Sequence, residues 1–262
     1  MLEWKNNSGK QLSSEKWLVI HHNAKLKERT EFIKNNIKST DKIIMDIGCG
    51  PGLWMKLLDE FLTEECTLIG VDSDKTAIES ANERLRHSNS NINLINCNVE
   101  EYVYNLPNAD LILLFNMFCF IDGPDYFLEA LRSKLNPGGR IIIRQYDGSN
   151  IRIGPMEEKT RKLIDNSLFS SISLSNQFHH YDLDRVFGAI ENSSFTFKKI
   201  EMEIFFKKTP YSNEVRLYLE EHIKWTNEYI SEEAQIKLNE WKTKQFEKFS
   251  YCTEVDLVAT LS

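Results

Sequence analysis

The fold is decided by the stretch KIIMDIGCGPG, which runs from Lys42 to Gly52. An apolar run ends there in Asp46, a turn carrying Gly48, Gly50 and Gly52 follows, and a helical pattern begins directly after it. Strand, glycine turn and helix is the arrangement by which an α/β domain brings its backbone close to a nucleotide-like ligand. Glycine suits such a turn because it lacks Cβ and tolerates positive φ angles.

The acid at the end of this strand indicates which ligand the turn accepts. Dinucleotide sites use the spacing G-x-G-x-x-G, whereas here the glycines alternate and Leu53 follows the third one. A carboxylate at Asp46 repels a pyrophosphate and attracts an ammonium group. The pattern D-x-G-x-G-x-G resembles motif I of the class I S-adenosylmethionine-dependent methyltransferases. A tight turn without a ligand remains the alternative for this loop taken alone.

Two further strand ends carry polar residues that fit the same resemblance. The second apolar run ends in Asp72, where nucleotide-binding α/β units place an acid that accepts hydrogen bonds from ribose hydroxyls. Ser73 or Asp74 suits the alternative role of capping the next helix better. After the third strand the resemblance implies a polar residue beside adenine, and this chain has Asn98 where an acid is commoner.

The fifth strand follows the turn Pro137-Gly138-Gly139, which also resembles the family, and the joint match covers residues 41–147. The resemblance implies an α/β fold of the Rossmann-like type. It has a seven-stranded, mostly parallel sheet in the order 3-2-1-4-5-7-6 with helices on both faces. From the residues, we expect strand six at Phe195–Phe206 and strand seven at Glu254–Leu261.

Helical patterns lie on both sides of this core and suggest accessory segments. A broad apolar face over residues 14–37 predicts an N-terminal helical lid within residues 1–40, or else a helix packed outside the sheet. The methyltransferase domain then covers residues 41–262. Cap segments are expected at about 148–190 and 210–250, the second holding charged helices at 212–230 and 231–249. A dimer or scaffold surface is the alternative reading of this second segment.

The resemblance implies S-adenosylmethionine as cofactor, S-adenosylhomocysteine as product, and specific site residues. The predicted cofactor-binding residues are Asp46, Gly48, Gly50, Gly52, Asp72, Ser73, Asn98, Val99 and Asn116. The predicted acceptor-binding residues are Trp17, His21, Phe118, Asp147, His179 and Tyr181, with His22 and Arg29 as further lid residues. No catalytic residue is fixed by the sequence, and the candidates for a base are Asp147, Tyr146 and Tyr181.

Composition narrows the classes of partner. The net charge of −7 disfavours a nucleic-acid partner, because duplex binders carry a basic face. Five scattered cysteines without a C-x-x-C motif indicate reduced thiols and a cytoplasmic protein. No apolar run approaches the roughly 20 residues of a membrane helix. No metal is expected, since His21 and His22 are adjacent and would point about 100° apart on a helix.

The acceptor class follows partly by elimination. Residues 116–119 read Asn-Met-Phe-Cys, which lacks the motif of nucleic-acid amino methyltransferases, and no Asp-Asn pair marks a metal-dependent catechol enzyme. We therefore expect methylation at N or O of a small molecule or peptide natural product, by a monomer or homodimer. Size and insertions resemble the peptide N-methyltransferases of plantazolicin-type antibiotic biosynthesis, which act on an N-terminal arginine. Small-molecule O-methylation, aminopropyl transfer and a non-catalytic S-adenosylmethionine-binding scaffold remain alternatives.

Overall fold

The computed structural model describes residues 14–146, 151–172 and 183–262. These residues form a mixed sheet of eight strands with helices packed around it. The strands are β1 (Ile43–Ile47), β2 (Thr67–Asp72), β3 (Asn91–Asn96), β4 (Ala109–Phe115), β5 (Leu135–Tyr146), β6 (Arg152–Gly154), β7 (Lys198–Lys208) and β8 (Tyr251–Leu261). The α/β class predicted from the sequence is confirmed.

The helices begin where the sequence supplies caps and turn residues. They are α1 (Glu15–Ala24), α2 (Leu26–Asn36), α3 (Leu53–Asp59), α4 (Lys75–Arg84), α5 (Val99–Tyr102), α6 (Pro124–Arg132), α7 (Glu158–Ile172), α8 (Leu183–Asn192), α9 (Asn213–Tyr229) and α10 (Glu232–Gln245). Ser14, Asp74, Ser212 and Ser231 each accept a hydrogen bond from a backbone N–H of the helix that follows. Such caps satisfy N–H groups that the helix itself leaves unpaired.

The sheet runs in the order β3-β2-β1-β4-β5-β8, and β7 pairs with the far side of β8. The five neighbouring strands β3, β2, β1, β4 and β5 run parallel to one another. Strand β8 is antiparallel to both β5 and β7. The predicted strands six and seven are β7 and β8, so the predicted order holds for those seven strands. Strands β1 and β4 are largely buried, as the near-continuous apolar sequence of a parallel strand requires.

The prediction of seven strands was wrong by one short strand. Strand β6 pairs with residues Tyr251 to Thr253 of β8, beyond the point where Tyr146 at the end of β5 faces Asp256. Strand β8 begins at Tyr251, earlier than the predicted Glu254, so its extra backbone groups need partners. Strand β6 supplies them on the β5 side of β8.

The predicted N-terminal helical run is two helices that break at Lys25, whose φ of −112° is not helical. Helix α1 packs against α9, and residues of α1, α7, α9 and α10 share one hydrophobic cluster with the first part of β8. That part of β8 extends past the carboxyl ends of the parallel strands. The helices predicted as lid and cap therefore meet above the sheet edge where an open α/β sheet binds its ligands.

Among the described helices, none combines the length and the apolar character that a bilayer crossing requires.

Candidate active site

The glycine loop after β1 is fixed by backbone hydrogen bonds to the end of β2. The Gly48 and Cys49 amides donate to the Val71 carbonyl at 2.7 and 3.1 Å. The Gly50 amide donates to Oδ2 of Asp72 at 2.8 Å, and the amide of Asp74 donates to Oδ1 at 2.8 Å. Each carboxylate oxygen accepts up to two hydrogen bonds, so Asp72 can hold the loop and still receive ligand hydroxyls.

The three loop glycines all have positive φ angles, but they face different surroundings. A Cβ built on Gly48 would lie 2.0 Å from Sδ of Met117, and one on Gly52 would lie 3.0 Å from Cβ of Ala81. A Cβ on Gly50 would meet only Leu18, at 4.0 Å. Gly48 and Gly52 are thus required by the packing of the chain on itself, whereas Gly50 leaves space beneath the lid helix.

Asp46 is a buried carboxyl group whose second oxygen has no protein partner. Its side chain is 2% exposed, and its Oδ2 makes no hydrogen bond within the described part of the chain. Burial, with the nearby Asp72 charge, raises the pKa of Asp46 to about 7. A desolvated carboxyl group of this kind is stabilised in its ionised form by a neighbouring cation. The site therefore fits a ligand that carries an ammonium group beside a ribose.

The residues predicted to contact adenine and ribose lie at the ends of β2 and β3. The Asn98 side chain caps α5, because its Oδ1 accepts from the Glu100 amide at 3.1 Å and its Nδ2 donates to Glu101 at 3.0 Å. Val99 is buried and Ser73 is exposed in the bend before α4. Capping accounts for Asn98 in this structure, and its contact with adenine stays a prediction.

Asn116 has a left-handed conformation, with φ of 59°, directly after β4. Its amide donates to the Arg144 carbonyl at 2.7 Å, and its Oδ1 accepts from the Tyr146 amide at 3.2 Å. Asparagine tolerates this backbone region better than most residues. The turn brings Met117 against Gly48, so the ends of β1, β4 and β5 are packed into one surface.

An aromatic stack covers the end of β5. The ring of Tyr218 on α9 stacks on Trp17 and His21 of the lid, with centroids 5.2 and 5.3 Å apart, and His21 meets Tyr146 edge-on at 5.9 Å. The structure thus brings together the predicted residues Trp17, His21 and Tyr146. Tyr218 was not among the predicted site residues, because its place in the stack depends on packing between distant segments.

Beneath this stack, buried charges join the lid to β8. The Lys25 ammonium pairs with Glu254, whose other oxygen accepts a hydrogen bond from the Tyr218 hydroxyl at 2.5 Å. The Arg144 guanidinium pairs with Asp256, its Nε lying 3.1 Å from the carboxylate. None of these residues was predicted in the site. The sequence signal for these pairs was the presence of charged residues within strands. A charged side chain that is buried in a sheet must be paired.

Arg29 lies against both histidines of the predicted lid and sets their tautomer. Its guanidinium lies 2.6 Å from Nδ1 of His22 and 3.5 Å from Nδ1 of His21, and 4.6 Å from the ring centroid of Trp54. Arginine can only donate, so both Nδ1 atoms accept and the neutral rings carry their proton on Nε2. Burial lowers the pKa of His22 to about 3 and that of Arg29 to about 9.

Phe118, the remaining predicted acceptor residue within the described part of the chain, does not join this stack. Phe118 is 1% exposed and packs in the core beneath the strand ends. Asp147, His179 and Tyr181 lie outside the described residues.

Comparison with known proteins agrees with this geometry. Residues 44–139 match the family model described as a methyltransferase domain, a segment that contains β1 to β4 and the glycine loop. The match, the sheet order and the Asp46 and Asp72 strand ends together support a class I S-adenosylmethionine-dependent methyltransferase.

The chain is also similar to individual proteins. A carboxy-S-adenosyl-L-methionine synthase of Trichodesmium erythraeum is 25% identical over 191 residues, which are 70% of this chain and 69% of that protein. Further curated relatives match over 115 residues, and the chain covers 47% of their length. A phosphoethanolamine N-methyltransferase of Haemonchus contortus has a similar structure, with a TM-score of 0.52, 14% identity and coverage of 95% of this chain and 58% of that one.

The plantazolicin methyltransferase BpumL is a more distant structural match. It has 19% identity, a TM-score of 0.46 and coverage of 93% of this chain and 85% of that one. A likeness at this level does not inform on the acceptor.

We predict that Asp72→Ala weakens binding of S-adenosylhomocysteine by about tenfold to a hundredfold. This range corresponds to the loss of about 1.5–3 kcal/mol for hydrogen bonds to a charged group. Calorimetric titration measures it, and Asp74→Ala is the matched control because it removes only the cap of α4. Equal losses of affinity in the two variants would contradict a ligand role for Asp72.

We predict that Gly50→Val abolishes cofactor binding, whereas Gly138→Val leaves the affinity unchanged. Both glycines have positive φ and open surroundings, so the two substitutions impose similar backbone strain. Only Gly50 faces the space beneath the lid. Thermal denaturation with and without S-adenosylhomocysteine compares the variants. A ligand-induced stabilisation retained by Gly50→Val would show that the loop lies elsewhere than at the ligand.

We predict that affinity for S-adenosylhomocysteine rises as the pH increases from about 5.5 to 7. Because the pKa of Asp46 is raised to about 7, the carboxyl group is protonated below that value and must ionise to hold the ligand ammonium. The increase is at most about tenfold per pH unit for a single proton. The variant Asp46→Asn should bind weakly and lose this pH dependence. A wild-type slope that persists in the variant would assign the titration to another group.

Proposed function

We propose that the enzyme transfers a methyl group to a nitrogen or oxygen of a small molecule or peptide natural product bound between the lid and the cap. The observation that carries this proposal is the aromatic stack of Trp17, His21 and Tyr218 over Tyr146. It lies at the end of β5, next to the strand ends that carry the glycine loop. Stacked rings at that edge, of which Trp17 and Tyr146 are partly exposed, suit the rings or acyl parts of such an acceptor.

When bound, S-adenosylmethionine supplies a methyl group on a sulfonium, which is already activated for in-line displacement. The chain must then orient the two reactants and exclude water. Asp72 and Asp46 hold the ribose and the ammonium end, Asn116 fixes the ends of β4 and β5, and the lid covers them. Because His21 is buried and its Nε2 lies 3.9 Å from a carboxylate oxygen of Glu254, we assign it a positioning role and not that of a base.

The cap supplies room for a larger acceptor. A cavity of about 330 Å³ lies between α7, α9, α10 and the start of β8, with Ile153, Leu168, His222 and Val255 in its wall. Strand β6, which borders it, pairs with β8 three residues beyond Asp256, the partner of Tyr146. Three residues of strand span about 10 Å. An elongated acceptor can therefore react near Tyr146 while its far end occupies the cap.

A peptide α-amine, such as the N-terminal arginine of a plantazolicin-type antibiotic, is a narrower acceptor class. A cationic N-terminus needs carboxylates that are not already neutralised. Glu254 and Asp256, the buried carboxylates beneath the stack, are paired with Lys25 and Arg144. Support for this class therefore rests on the inserted cap and on chain size, and small-molecule O-methylation is tested beside it.

The first experiment is calorimetric titration with S-adenosylhomocysteine and with NAD. We expect binding of the first and none of the second. Mass spectrometry then follows methyl gain on a panel of peptides with free or acetylated N-termini and on phenols. Methylation only of free N-termini selects the peptide amine, and methylation of phenols selects O-transfer. A folded protein that binds no S-adenosylhomocysteine would favour the scaffold alternative.

We predict that Trp17→Ala raises KM for the acceptor by about tenfold while the affinity for S-adenosylhomocysteine changes by less than about twofold. The loss reflects one aromatic contact of about 0.5–1.5 kcal/mol together with its buried area. Trp17→Phe keeps a ring in the stack and should recover most of the loss. Steady-state kinetics on whichever acceptor the panel identifies provides the measurement. An equal rise in KM in the two variants would contradict a contact between the Trp17 ring and the acceptor.

A further inference from the structure

Strand β7 exposes an apolar stripe on one face of the sheet. Met202, Ile204 and Phe206 are 57%, 68% and 55% exposed, although they alternate along the strand as core residues would. Phe205, on the opposite face, is buried. Contiguous exposed apolar side chains on a soluble domain mark an interaction surface. We call Met202, Ile204 and Phe206 the β7 stripe.

The backbone of the same strand is available for pairing. Phe197 and Ser262 exchange two hydrogen bonds of 2.9 and 3.1 Å, and the Thr209 amide donates to the Ser250 carbonyl at 3.0 Å. Since hydrogen-bonded pairs alternate in antiparallel strands, the odd-numbered residues of β7 bond to β8. The even-numbered residues, which include the β7 stripe, turn their N–H and C=O groups to the other edge. No strand of the described chain pairs with that edge.

Natural sheets protect exposed edge strands by shortness, lysines and other charged side chains, proline, bulges or inward charges. Strand β7 has 11 residues, contains no proline and pairs with β8 without a register shift. Its charged residues are Lys198, Lys199, Glu201, Glu203, Lys207 and Lys208, so acids lie near the centre and lysines lie at both ends. The centre of the edge, residues 200–206, thus carries no lysine, and the charge pattern suits an antiparallel copy of the strand.

We infer that β7 pairs with β7 of a second copy of this chain, about a two-fold axis at Ile204. In that register Ile204 faces its own equivalent, Met202 faces Phe206, and Glu201 faces Lys207 of the second copy. Residues 200–208 of each chain overlap. Side chains that face each other directly across antiparallel strands interact, so the two Glu201–Lys207 pairs and the joined β7 stripes favour this register.

The neighbouring registers are less favourable. A two-fold axis at Glu203 places that carboxylate opposite its own equivalent and Lys199 opposite Lys207, and like charges facing each other are destabilising. An axis at Phe205 shortens the overlap to residues 202–208. If the two strands are shifted by one residue, even-numbered residues of one chain face odd-numbered residues of the other. The β7 stripe of one chain then lies on the polar face of the other. The charge pattern and the alternation therefore select the axis at Ile204.

Sedimentation velocity under reducing conditions tests the pairing. We expect the full chain to sediment with twice its mass of 30.6 kDa at high concentration and to dissociate on dilution. Glu201→Lys should give single chains, because it places two lysine pairs in the interface. Glu201→Lys with Lys207→Glu should restore the pair of chains. The control Glu79→Lys makes the same charge change at an exposed ion pair on α4 and should not alter the mass.

Single chains for the wild type at every concentration, or a dimer that persists in Glu201→Lys, would overturn the inference. The double variant also removes the bond from Lys207 to Glu28, so a second test avoids charge changes. A hydrogen-bonded antiparallel pair has Cα atoms about 5.5 Å apart, which suits a disulfide. Oxidised Ile204→Cys should form covalent dimers, whereas Met202→Cys and the wild type should not. Cross-linking of Met202→Cys alone would disprove the register.

Discussion

The hydrogen bond from the Gly50 amide to Asp72 is the contact on which the cofactor end of the molecule depends. Through its other oxygen the same carboxylate receives the Asp74 amide, and Asp74 then caps α4. Helix α4 in turn packs against Gly52 through Ala81. One side chain therefore sets the positions of two strand ends, one loop and one helix. Its burial raises the pKa of Asp72, and the backbone N–H donors oppose that rise.

The end of β5 is organised differently, by buried charge under a layer of rings. Removing Lys25, Arg29 and Arg144 from water is unfavourable unless each is compensated. Glu254 and Asp256 compensate two of them, and Arg29 has the two imidazoles and the Trp54 face. The histidines are consequently held neutral and in one tautomer. Helices α1 and α2 thereby join this end of the sheet through buried polar contacts as well as apolar ones.

Sequence patterns were sufficient where a signal is local. Apolar runs, the glycine turn and the acids at Asp46 and Asp72 predicted the parallel strands and the ligand edge, because backbone limits and strand periodicity act over a few residues. The partnership of Lys25 with Glu254 spans 229 residues, and no local pattern encodes it. Asn98 shows a second limit, since its family position predicts a contact with adenine, whereas its own turn uses the side chain as a helix cap, a role that the sequence analysis did not assign.

The place of β8 in the chain has a consequence for how the molecule is assembled during translation. Strands β1 to β5 form one parallel ladder and are made first, so the glycine loop and its helices can fold early. Lys25 and Tyr218 must wait for Glu254, which belongs to the last strand in sequence and inserts between β5 and β7. Contacts between residues this far apart form slowly. A nascent chain can therefore form the glycine loop well before Lys25 and Tyr218 meet Glu254.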